Sequence, residues 1–301
     1  MRLVTYHEVD ELRLGVLHGD QVIDVQRWLS PPSEPLPTTM IGLIAMGETG
    51  LQRLRQALDL LPEHALAGAP RLDALKPAAP IPRPRKNVFC IGQNYAAHAA
   101  EQNQAPPARP AVFTKAPTAV TGPYDPILLD PAVSEMMDWE VELGVVIGEG
   151  GRGIKREQAL DHVFGYTVIN DVSARDIQYG HGGQFFLGKS LDTACPMGPW
   201  IVTRDQIADP QQLRLTCRVN GETRQDSDTS DMIFTVAALI EWLSRGMTLE
   251  PGDIIATGTP SGVGHFRKPP IYLHPGDLVE CEVEGVGTLR NRVELWPGGP
   301  R

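Results

Sequence analysis

Positive charge is scarce in this chain. Against 37 aspartates and glutamates stand 27 lysines and arginines, a formal charge of −10 over 301 residues. No basic stripe exists to displace the counterions of a phosphate backbone, so nucleic acid is excluded as a partner. Cysteine is scarce too. Cys90, Cys195, Cys217 and Cys281 are far apart with no Cys-x-x-Cys, which suits neither a zinc site nor a disulfide framework. No apolar run is long enough to span a bilayer. The N-terminus, with Arg2, His7, Glu8, Asp10 and Glu11, carries no apolar signal core. These absences predict a cytoplasmic protein with no membrane partner. Internal repeats and low-complexity segments are missing as well.

What is present suits a soluble globular chain: 42% hydrophobic residues, 21% charged, and length enough for one large domain with a small appendage. Residues 1–78 read as a small N-terminal α+β domain. Leu12, Leu14 and Val16 alternate with Arg13 and Gly15, and Gly19-Asp20 turns the chain into Val22–Val25. Leu51, Leu54, Leu58 and Leu61 recur at helical spacing. Pro80, Pro82 and Pro84 mark a linker over 79–85, and 86–301 forms the main unit. There, Leu213 to Val219 alternate before Asn220-Gly221, a hairpin turn. Val279, Cys281 and Val283 alternate before Gly285-Val286-Gly287. One helix is expected from about Ser230, burying Ile233, Val236, Ala237, Ile240 and Leu243 and stopping at Gly246. Many strands and few helices predict a mixed β-rich α/β class built on a rolled β-sheet.

The most informative segment is Asp138-Trp139-Glu140-Val141-Glu142, which runs into apolar β-branched residues as a strand entering a core. On a strand, Glu140 and Glu142 project to one face. Carboxylates side by side repel unless a proton or cation lies between them. With Asp171, they offer three hard oxygen ligands suited to Mg²⁺ or Mn²⁺ with positions left for water and substrate. A Glu-x-Glu pair also occurs on solvated strand faces, so its company matters.

That company is ordered: Ile91-Gly92-Gln93-Asn94-Tyr95-Ala96-Ala97-His98-Ala99-Ala100-Glu101, Trp139 to Gly144, Asn170 to Asp176, Gly188 to Asp192, Pro196 to Trp200, and Gly258 to Gly264. The set resembles the fumarylacetoacetate hydrolase family over about residues 85–295. The resemblance implies a Mg²⁺ site of Glu140, Glu142 and Asp171, a supporting Lys189, and a water-activating His98–Glu101 dyad on a mobile segment. It also implies substrate contacts from Arg175, Gln178 and the turn Thr257, Gly258 and Thr259, with the contacting threonine left open. A homodimer and the family's β-roll fold are implied too.

One signal is a decoy. Gly183-Gln184-Phe185-Phe186-Leu187-Gly188-Lys189-Ser190 matches the Walker A pattern, yet Phe-Phe-Leu is bulky, and Pro196 and Pro199 forbid a normal helix close behind it. A phosphate cradle needs a small-residue loop between strand and helix. Lys189 therefore reads as a cation facing metal or substrate. Asp176, Tyr179 and His181 read as ordinary turn residues, and substrate choice is assigned to the segment from Gln102 to Arg109. The expected activity is Mg²⁺-dependent C–C hydrolysis of a small anionic 2,4-dioxo carboxylate through a metal-stabilised enolate. The alternative is decarboxylation or isomerisation of oxaloacetate or unsaturated 2-oxo dicarboxylates.

Overall fold

The structure, a computed structural model, describes residues 1–9, 11–31, 34–101, 105–180 and 182–298. Two strands without a solvated face set the frame: β6 (Val141–Ile147) and β7 (Val163–Asn170) are buried along their whole length. Strands buried throughout, and mostly apolar, belong in the middle of a sheet covered on both faces. Gly144 permits their close pairing, because a Cβ there would stand 2.8 Å from both Ile169 Cδ1 and Thr167 Cγ2.

Around this pair the larger sheet runs in the order β3-β2-β1-β8-β7-β6-β11-β4-β5. The remaining strands on that path are β1 (Arg2–Glu8), β2 (Glu11–His18), β3 (Gln21–Asp24), β4 (Val88–Gly92), β5 (Ala111–Lys115), β8 (Cys195–Thr203) and β11 (Ile254–Ala256). Neighbours are antiparallel except β11 with β4. The path ends at β3 and β5, so among the described residues it does not close into a barrel. A second sheet contains β9 (Arg214–Val219), β10 (Glu222–Asp228), β12 (Leu278–Val283) and β13 (Gly287–Leu295), with Ile127–Leu129 beside β13. Asn220 and Gly221 turn β9 into β10 with φ of 54° and 79°, the left-handed pair that a tight hairpin demands.

Three expectations change. The first 78 residues share a sheet and a core with the rest: Leu3 pairs with Ile201, and Leu14, Ile23 and Leu54 cluster with Val146, Phe164 and Ile254. The prolyl segment is pinned, with Ile81 buried and Thr5 Oγ1 donating to the Pro80 carbonyl at 2.8 Å. The late helix spans Val236–Ser244 rather than starting near Ser230, because Thr235 Oγ1 caps it by accepting from Ala238 N, and Thr229–Asp231 is a separate turn. Ile233 instead donates its N–H to the Asn94 carbonyl. No helix among the described residues is long and apolar enough to cross a membrane.

Candidate active site

The β6–β7 register assembles the acidic cluster. Val141 stands opposite Asn170, so residues far apart in sequence meet just beyond the strand ends. Asp171 N donates to the Glu140 carbonyl at 2.9 Å, and Glu140 N donates to Asn170 Oδ1 at 3.0 Å. Carboxylate oxygens of Glu140, Glu142 and Asp171 thereby lie within 4.8 Å of one another, all buried. Val141 turns the other way into the core.

Cations compensate the three unequally. Lys189, at the end of the short helix Phe186–Lys189, reaches Glu140 Oε2 at 2.8 Å and Asp171 Oδ2 at 2.9 Å. Arg175 Nη2 approaches Glu140 Oε1 at 2.7 Å and Asp138 Oδ2 at 2.8 Å, contacts that are ionic rather than well-angled hydrogen bonds. Its Nε donates to Asp138 and its Nη1 to Gln178 Oε1, each at 2.9 Å. Burial opposes ionisation of Glu140, but Lys189, Arg175 and His98 hold its pKa at about 2. Burial alone would lower Lys189, yet Asp171 and Glu140 raise it above its ordinary value and keep it charged.

Glu142 differs. Gly258 N donates to its Oε2 at 2.8 Å, and no lysine or arginine of the described residues forms an ion pair with it. Burial, then Asp171 and Glu140, push its pKa well up. A buried carboxylate beside two others with no cation of its own is the condition a divalent ion relieves.

The parallel β11–β4 pair brings the remaining groups to the same end, since the exits of both strands point one way. Asn94 Nδ2 donates to the Thr257 carbonyl at 2.7 Å, joining the turn after β11 to the helix Ala96–Glu101. On that helix His98 Nδ1 lies 3.2 Å from Glu101 Oε2, and Gly262 N donates to Glu101. Gly258 has φ of +99°, and a Cβ there would meet Asn94 Cβ at 2.7 Å, so only glycine lets this amide face Glu142.

These groups face a cavity of about 290 Å³ whose wall includes His98, Glu140, Glu142, Arg175, Gln178, Lys189 and Thr259. Thr257 and Gly258 do not line it: Thr257 Oγ1 donates to the Leu143 carbonyl, while Thr259 reaches the cavity as it donates to Val141 O. Tyr179, read from sequence as a turn residue, lines it too. Asp176 keeps its turn role, accepting from Ser134 Oγ. His181 and Gln102 to Gln104 lie outside the described residues. The Walker-like segment offers no cradle, since Lys189 is buried among carboxylates. A larger open groove of about 860 Å³ includes Glu48, Arg55, Asp161, Arg204 and Asp205 in its wall. Those arginines pair with Glu48, Asp205 and Asp161, which leaves the converging chemistry in the smaller cavity.

Sequence reasoning gave no role to two buried groups here. Lys115, fully buried, donates to Asp171 Oδ1 at 2.6 Å and to Val172 O at 3.0 Å. Asp138 accepts from Trp139 N, Gly264 N and His265 N as well as Arg175, tying the arginine to the glycine-rich turn.

Residues 87–294 match the family model described as fumarylacetoacetate (FAA) hydrolase C-terminal. The chain is similar to the oxaloacetate tautomerase FAHD2A, mitochondrial, of Bos taurus, at 49% identity over 278 residues, covering 92% of this chain and 85% of that protein. It is similar to the oxaloacetate tautomerase YisK of Bacillus subtilis at 44% identity, covering 97% of this chain and 100% of the relative. Among solved structures, a maleylpyruvate hydrolase from Sphingobium sp. SYK-6 in complex with manganese(II) and pyruvate superposes with a TM-score of 0.78 at 33% identity, covering 98% of this chain and 99% of that one.

Proposed function

The chain is an enzyme of the fumarylacetoacetate hydrolase family, and from that premise we propose a divalent-metal-dependent exchange between the keto and enol forms of oxaloacetate. The observation that carries the reading is one cavity lined by Glu140 and Glu142, whose carboxylates cluster with that of Asp171, and by His98, whose Nδ1 faces Glu101. Glu140, Glu142 and Asp171 would hold Mg²⁺ or Mn²⁺, since buried hard oxygens suit either ion. When bound there, such an ion would supply Lewis acidity to the substrate's 2-oxo group.

This chain's side chains do the rest. His98, its Nδ1 turned to Glu101, takes a proton from C3 through the other ring nitrogen; the carboxylate fixes the tautomer. The C3–H electron pair becomes the C2=C3 bond, and the former carbonyl oxygen receives the proton. Lys189, held charged by Asp171 and Glu140, offsets the enolate as it forms. Gln178 and Thr259 present hydrogen-bonding groups at the wall. The tautomerase names of two relatives support this reading over C–C hydrolysis.

A second reading is supported by the same dyad and by the maleylpyruvate hydrolase neighbour: His98 activates water to attack the 4-oxo carbon of an acylpyruvate, releasing pyruvate and a carboxylic acid. Three assays of the metal-loaded protein separate the readings: oxaloacetate enol decay, carbon dioxide release from oxaloacetate, and pyruvate release from acetylpyruvate. We expect enol decay to be accelerated, to stop with chelator and to return with Mg²⁺ or Mn²⁺. His98→Ala should slow it by ~10²–10⁴. Pyruvate release from acetylpyruvate without accelerated enol decay would overturn tautomerisation in favour of hydrolysis.

A further inference from the structure

We propose that the same cavity also enolises 2-oxo acids whose third carbon carries an uncharged aryl group, the 3-arylpyruvates. The inference rests on the enolisation reading and extends its substrate class.

The cavity has two unlike halves. Around the carboxylates, the lining cations are Lys189 and Arg175, and both are engaged: Lys189 between Glu140 and Asp171, Arg175 among Asp138, Glu140 and Gln178. No other lysine or arginine of the described residues lines the cavity. Beyond them the wall includes Ile91, Ala111, Phe113, Phe185 and Tyr179, with Gly92 and Gln93. Phe113 and Phe185 meet edge to face with centroids 5.5 Å apart, and Tyr179 stands 6.3 Å from Phe185. The Phe113 ring lies 5.0 Å from Lys189 Nζ, a charge already held between Glu140 and Asp171.

A second carboxylate laid against this wall would lose water and meet only cations already paired with Glu140, Asp171 and Asp138. An aryl ring there would instead bury apolar surface and complete an edge-to-face set. The chemistry is unchanged and balanced. The benzylic C3–H bond breaks, its electron pair forms C2=C3, the 2-oxo oxygen takes the proton, and conjugation with the ring stabilises the enol without any co-reactant.

The test compares enol–keto exchange of phenylpyruvate and oxaloacetate by the Mg²⁺-loaded full chain, for the wild type and Ala111→Arg. Ala111 is exposed at the first residue of β5, so a cation can be placed at the apolar half without overpacking the core. We expect both substrates to be accelerated, and Ala111→Arg to shift the ratio of kcat/KM values toward oxaloacetate by ~10–200-fold, the range of a single pocket contact. Acceleration of oxaloacetate alone would overturn this inference and leave the tautomerase reading standing. Acceleration of neither would overturn that reading and this one with it. An equal effect of Ala111→Arg on both substrates would show that the ring does not lie against this wall.

Discussion

Asp24 and Glu142 are both buried carboxylates on strands of one sheet, and their surroundings are opposite. Asp24 accepts from Tyr6 OH at 2.7 Å, from Arg13 Nε at 3.0 Å, from Arg13 Nη2 at 3.1 Å and from Arg27 N at 2.7 Å. Burial works against its charge, but Arg13, Tyr6 and the Arg27 amide outweigh it and lower the pKa. Glu142 has the Gly258 amide and two neighbouring carboxylates, and its pKa is raised. Burial of an acid is thus no sign of function in itself. The sign is a buried acid whose charge the protein leaves uncompensated, because that charge destabilises the fold until a proton or a ligand offsets it.

The largest expected contrast is in metal binding and rate. Glu142→Gln keeps shape and hydrogen bonding but removes one charge of the triad. Metal affinity should fall by more than the ~10–100-fold that loss of an outer-sphere partner costs, with turnover falling alongside. Asp24→Asn should leave both unchanged. Titration calorimetry with Mn²⁺ and the oxaloacetate enol assay measure this pair. If Glu142→Gln bound Mn²⁺ like the wild type, the ligand assignment and the comparison would both fail.

How much of this contrast can be read from sequence depends on distance along the chain. Glu140 and Glu142 are legible because period-two alternation puts them on one face, and Asp171 because it directly follows an apolar strand within an ordered set of motifs. Lys115 is not. It is one lysine ending a short strand of intermediate burial, and only the β4–β5 pairing carries it to Asp171. Asp138 carries no spacing signal for the loop amides it accepts. The union of the first 78 residues with the main sheet rests on β1 pairing β8, a non-local choice that local pattern cannot express. The helix expected near Ser230 is displaced by capping: both Asp228 and Thr235 are good caps, and Asp228 closes a turn while Thr235 opens the helix.

The second contrast is in stability. Asp24→Asn weakens hydrogen bonds to a charged acceptor and strips Arg13 of its buried partner, although Glu8 remains 3.5 Å from the guanidinium. The expected loss is about 1.5–3 kcal/mol, measured by urea denaturation in excess chelator. A change within error would mean that Asp24, despite its satisfied bonds, is as dispensable to the fold as an exposed acid.

The smallest effect is the most discriminating, because the two residues should bend the pH dependence of stability in opposite directions. A carboxyl with a raised pKa binds a proton in the folded state before the unfolded one, so metal-free protein gains stability as pH falls through the raised value of Glu142. That gain levels off near the ordinary value of 4.5. Asp24 has a lowered pKa; its contribution is complete above its ordinary value of 3.8 and is lost as pH falls through the lower folded value. Glu142→Gln should therefore flatten the limb between that raised value and pH 4.5, since the group that takes up the proton in the fold is gone. Asp24→Asn should leave that limb intact and flatten part of the acid limb below 3.8. Saturating Mn²⁺ should abolish the first limb in the wild type, because the ion keeps Glu142 ionised in the fold. The measurement is the urea midpoint against pH for three proteins, with chelator and with Mn²⁺. Parallel curves for wild type and Glu142→Gln above pH 4.5 would show that Glu142 is compensated after all, and the distinction from Asp24 would dissolve.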